Sequence, residues 1–115
     1  VKDPLLPMNP AEFEKMAHGD PAALVGLASE YFQETRRLIA GWGALAAAGD
    51  FNRLRDELHR CKGGASLFGL ERLVAFLGQC ERASHLETHG FDMNTLETEL
   101  TAAEQAVADF HKSTS

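Results

Sequence analysis

Apolar residues in this chain recur three and four positions apart, and no stretch alternates with period two for long enough to make a strand. Phe51, Leu54, Leu58, Cys61, Ala65 and Phe68 are spaced 3-4-3-4-3, and Met93, Leu96, Leu100, Ala103, Val107 and Phe110 repeat the series. At about 100° of turn per residue, that spacing lays an apolar seam along one side of a helix. Leu24, Ala28, Tyr31, Thr35, Leu38, Trp42 and Leu45 form a longer seam of alternating fours and threes. Leu73, Leu77 and Cys80, with Val74 beside them, form a shorter one. A helix with one apolar stripe must bury it against another element, so the pattern commits the chain to helix-on-helix packing.

The punctuation between seams sets the connections. Asn9-Pro10 and Asp20-Pro21 each pair a capping side chain with a proline at the first helical position, where a missing N–H costs nothing. His18-Gly19 ends the short first helix, Gly49 ends the second, and Asp50 is placed to cap the third. Gly69 breaks the third helix. A fourth is predicted from about Leu70 to His89-Gly90, and a fifth follows. The expectation is an all-α, antiparallel up-down four-helix bundle with a short extra N-terminal helix on one end. Residues 1–8 are expected to be an irregular lead-in, and residues 9–115 the bundle domain.

At 115 residues this is one domain's worth of chain, enough to bury roughly two-thirds of its unfolded surface. A net charge of −6 argues against nucleic acid, whose phosphates require clustered Lys and Arg. The longest charge-free stretch, Leu38 to Gly49, is too short and Gly-rich to span a bilayer, and no secretory signal is visible. Two cysteines do not build a disulfide scaffold; Cys61 and Cys80 are read as reduced core thiols at similar distances from the Gly69 turn. A cytoplasmic monomer is expected.

One helix face departs from the seams. His59 follows the seam residue Leu58 and therefore lies beside the core. Lys62, Gly63 and Ser66 share its side, Arg55 lies one turn earlier, and Arg60 is adjacent, making a basic island in an acidic protein. Gly63-Gly64 inside a helix costs about 1 kcal/mol per residue relative to Ala, so the missing side chains must serve something. Gly63 strips cover from the turn above His59, opening the ring to a partner backbone or a bulky anion. In the hairpin closed at Gly69-Leu70, His59 lies ten residues before Gly69 and Glu81 eleven after Leu70. Both sit about 15 Å from the turn, so Glu81 is placed to accept from one imidazole nitrogen and leave the other as a nucleophile.

His59-Arg60-Cys61-Lys62-Gly63-Gly64-Ala65-Ser66-Leu67-Phe68-Gly69 resembles the phosphoacceptor motif of histidine-containing phosphotransfer (HPt) domains, and is similar also to the phosphotransfer domain of chemotaxis histidine kinases. Cys61 stands where the family usually has Leu, Ile or Met, and Leu58 replaces a common Ala. The resemblance implies a phosphorelay intermediate of two-component signalling. On that resemblance His59 would accept a phosphoryl group at Nε2 from a receiver-domain aspartyl phosphate, or from a sensor or hybrid histidine kinase, and pass it to a response-regulator receiver domain. It further implies that Lys62 balances the phosphate charge, Glu81 orients the ring, and Arg55, Arg60, Gly63 and Ser66 form the binding surface. No Walker-type nucleotide loop is present, so the chain is not a complete kinase; it is either free-standing or cut from a larger one. No cofactor is expected, with Mg supplied only by the partner receiver domain. The alternative is a helical interaction module that kept the bundle and lost phosphotransfer.

His85 and His89 are four apart on the predicted fourth helix, a spacing that can bind metal. The preferred reading places them near a helix C-terminus, where cations suit the dipole, with no metal site. Phe32 and Trp42 are assigned to the core.

Overall fold

A computed structural model describes residues 4–114. Part of the predicted lead-in, residues 1–3, and the final Ser115 lie outside the described residues. Six helices follow in order: α1 (Pro10–Ala17), α2 (Pro21–Ala47), α3 (Phe51–Leu67), α4 (Glu71–Glu81), α5 (His85–His89) and α6 (Met93–Thr114). The fold is all helical. α2 packs on α3 and α6, α4 packs on the same two, and α1 lies against α2. The four longer helices thus close a ring around one core, with α1 and α5 as appendages.

The seams become that core. Leu54, Leu58, Cys61, Ala65 and Phe68 are buried on α3 and its cap, Leu73, Leu77 and Cys80 on α4, and Leu96, Leu100, Ala103 and Val107 on α6. On α2 the fully buried set is Leu24, Ala28, Phe32, Thr35, Ile39 and Trp42, while Tyr31, Leu38 and Leu45 are only half-buried. A helix that touches α1, α3 and α6 together needs a stripe wider than a single row, and the α2 core line runs beside the predicted one.

The caps follow the sequence at two of three places. Asn9 accepts from the Ala11 and Glu12 amides, and Asp20 from Ala23. Asp50 occupies the N-cap of α3, but its side chain makes no capping bond.

The fourth helix is shorter than predicted. α4 stops at Glu81, the chain turns through Arg82–Ser84 with Ser84 at φ 63°, and α5 is a separate five-residue helix. Extending the α4 seam would have put Ser84 and Glu87 into the core. The break instead delivers Leu86, which is 1% exposed. His85 consequently begins a helix and only His89 stands near a C-terminus. Their rings stack with centroids 4.7 Å apart.

The described lead-in residues are not helical, yet they are tied down. Asn9 N–H donates to Gly69 O at 2.8 Å, and Arg72 N–H donates to Leu6 O at 3.1 Å. Glu71 accepts from Leu6 N–H and from Asn9 Nδ2, at 3.1 and 3.0 Å. Leu6 thereby satisfies one of the amides that the first turn of α4 leaves open. Met8 is in the core.

Candidate functional site

The α3–α4 hairpin brings His59, Glu81 and Lys62 together. His59 Nδ1 lies 2.7 Å from Glu81 Oε1, and Lys62 Nζ lies 2.6 Å from Glu81 Oε2. Glu81 is held between a ring and an ammonium with its side chain only 16% exposed, while the His59 side chain is 70% exposed. Burial pushes the Glu81 carboxyl pKa upward, but the Lys62 ammonium and the bond from His59 outweigh it and hold the group below the usual glutamate value. An ionised carboxylate only accepts, so the ring proton resides on Nδ1. The Nε2 lone pair is left on the opposite edge of an exposed ring.

The glycines around the site differ in what surrounds them. At Gly78 on α4, a Cβ would sit 3.9 Å from Lys62 Cδ, an ordinary contact, so the lysine stem passes over α4 there with room to spare for a methyl group. At Gly63 a Cβ would meet nothing within 4 Å, so the position is open space one turn above His59. Gly64 is the opposite: a Cβ there would lie 2.4 Å from the Tyr31 ring. Tyr31 fills that notch and donates its hydroxyl to the Cys61 carbonyl at 2.7 Å. Burial, followed by the neighbouring Cys61, pushes the Tyr31 hydroxyl pKa up, so it remains a donor. The Gly63-Gly64 pair therefore combines one residue left uncovered with one that seats α2 against α3.

The other predicted residues are more dispersed. Arg55 is paired with Glu87 of α5, and its Nε is buried without a partner. Arg60 is 77% exposed and lies 3.8 Å from Glu57. Ser66 is exposed and lines a shallow groove with Gly69, Leu70, Glu71 and Val74. Leu67, 50% exposed, continues the line His59, Gly63, Leu67 at four-residue steps. Cys61 and Cys80 are buried free thiols; burial raises both, Cys80 to about 11. Among the described residues no three His, Cys, Asp or Glu side chains are grouped to hold a metal.

Sequence reasoning missed the Glu87 partner of Arg55 and the Tyr31–Gly64 contact.

The site is thus an exposed histidine, bonded to a carboxylate, on a glycine-flanked helix face of an all-α bundle. The Hpt domain family matches residues 26–106, and the chain belongs to that family. Hpt domains are phosphotransfer carriers of two-component signalling without an ATP site of their own, and they interact with receiver domains and kinases. No curated protein and no solved structure matches the chain. No helix among the described residues is long and apolar enough to cross a membrane.

Proposed function

We propose that His59 is the phosphoacceptor of a relay intermediate. The observation that carries this reading is the 2.7 Å bond from Nδ1 to Glu81 on a side chain that is otherwise 70% exposed. Nε2 attacks the phosphorus of a receiver-domain aspartyl phosphate; the P–N bond forms as the acyl P–O bond breaks and the aspartate carboxylate leaves. The ring retains its Nδ1 proton and becomes cationic, and Glu81 stabilises that charge where it develops. Lys62 keeps Glu81 ionised and supplies positive charge beside the transferred group. Little else is required of this protein, because phosphoryl transfer depends on positioning and charge stabilisation. The reverse step delivers the group to the next receiver domain, and a kinase's ATP-binding domain is the other possible donor.

The partner surface in this reading runs from His59 over Gly63 to Leu67, with Arg60 and Ser66 at its margins. Gly63 admits the receiver's active-site loop, and the receiver supplies Mg. A cytoplasmic setting follows from such partners.

The test is incubation with a phosphorylated receiver domain or a cognate kinase, scoring acid-labile, alkali-stable label. Label on the parent and none on His59→Gln is expected. Equal label on both, or none on the parent, removes this reading and leaves the interaction module.

A further inference from the structure

Arg55 stands one turn before His59 on α3, yet its guanidinium is turned to Glu87 on α5. Three features make that pairing exchangeable. Arg55 Nε is buried without a hydrogen-bond partner, so the group is incompletely satisfied where it lies. Glu87 is 45% exposed against 22% for Arg55, so water reaches the carboxylate side of the pair and keeps it modest in strength. Positions four apart on a helix are neighbours, which puts the imidazole within the reach of an arginine. A phosphoryl group on Nε2 brings roughly 1.5 to 2 negative charges and three acceptor oxygens, a better match for a guanidinium fork than one carboxylate.

The element at the other end of this pair is lightly held. α5 has five residues, starts after Ser84 at φ 63° without a side-chain cap, and ends at Gly90 at φ 73°. Leu86 anchors it in the core and the Arg55–Glu87 pair ties it to α3. We infer that phosphorylation of His59 draws Arg55 from Glu87 to the phosphoryl group and so loosens α5, making the segment around residues 85–90 a reporter of the phosphorylation state. This rests on His59 being the phosphoacceptor. It adds a conformational output on the face of the bundle beside the site, which a partner can use to distinguish loaded from empty carrier.

The full chain can be loaded without a protein donor. Nε2 attacks the phosphorus of phosphoramidate, the new P–N bond forms as the bond to the amine breaks, and ammonia leaves. His59→Gln treated alike controls for the other histidines. Amide hydrogen exchange of residues 85–90 is then followed with the Arg55 Nε–H resonance. On loading, α5 exchange should rise roughly two- to fivefold, the scale of one partly exposed ion pair, and the Arg55 signal should shift. Glu87→Gln should show the faster exchange before loading and no further rise after it, with the Arg55 shift on loading retained. Arg55→Gln should also exchange fast throughout. A parent that takes label on His59 with α5 exchange and the Arg55 signal unchanged overturns the inference while sparing the phosphoacceptor. A parent that takes no label on His59 removes both.

Discussion

Glu81 bridges His59 Nδ1 and Lys62 Nζ, one carboxylate oxygen to each, at 2.7 and 2.6 Å. A single acidic group thereby fixes the imidazole tautomer and anchors the nearest cation. If Glu81 orients the ring, its removal should slow the chemistry without undoing recognition. Glu81→Ala is expected to lower the phosphorylation rate of His59 roughly ten- to a hundredfold, the worth of a hydrogen bond to a charged group. Affinity for a receiver domain, measured by titration calorimetry, should change little. An unchanged rate would show that the hairpin pairing plays no part in transfer.

The same carboxylate makes stability depend on pH in a defined direction. Its pKa lies below the ordinary glutamate value despite opposing burial, because the Lys62 ammonium and the His59 ring favour the ionised form. A depressed carboxyl pKa stabilises the fold fully above the unfolded value of about 4.3, and the contribution is lost as pH falls through the folded pKa. Removing the lysine leaves a largely buried carboxylate with less support. Lys62→Met should therefore cost roughly 1–3 kcal/mol near pH 7 and progressively less in acid, where Glu81 is protonated. Urea midpoints at pH 7 and pH 3.5 decide it; equal losses at both would mean the ion pair does not carry the effect.

Gly63 and Gly64 are adjacent, and substitutions at them should have opposite outcomes. Gly63→Leu meets open space, so the melting temperature should hold, while a leucine beside the ring blocks the approach of a partner loop and transfer should fall by more than tenfold. Gly64→Ala drives a methyl into the Tyr31 ring, which stands 2.4 Å from the Cβ position. Overpacking of that kind costs about 1–3 kcal/mol, and the melting temperature should drop accordingly. Parallel thermal melts and transfer assays separate the two. Normal transfer in Gly63→Leu would remove the access argument.

What the chain disclosed in advance depended on how local each signal was. Helix starts at Asn9-Pro10 and Asp20-Pro21, and the α3 and α6 seams, are set by residues within a turn or two of one another, and they appear in the structure with only the seam ends Phe51, Met93 and Phe110 half-buried. The proximity of His59 and Glu81 followed from counting outward from Gly69, which works while both helices stay unbroken. It fails beyond Glu81. Arg82–Ser84 contains neither Gly nor Pro to mark a break. The signal was negative: after Cys80 the next seam positions are Ser84 and Glu87, which a continuous helix would have had to bury. Contacts such as Tyr31 into the Gly64 notch join residues far apart in the chain through side-chain shape, and heptad counting carries no information about shape.

The lead-in offers a test at a distance from the chemistry. Glu71 accepts from Leu6 N–H and Asn9 Nδ2, and the Asn9 bond, followed by that from Leu6, lowers its pKa. These bonds clasp the N-terminal segment to the α3–α4 turn, at the far end of the hairpin from His59 by about 15 Å of helix. Glu71→Ala should free both donors, with a cost of about 1 kcal/mol because one bond is exposed and the other only part-buried. Hydrogen exchange should quicken at the amides of Leu6 and Arg72, since the Leu6 carbonyl that serves Arg72 is then held less firmly. Label on His59 should build at the parental rate. Slowed transfer in this variant, with the fold intact, would show that the clasp communicates with the histidine along α3, contrary to its placement at the turn.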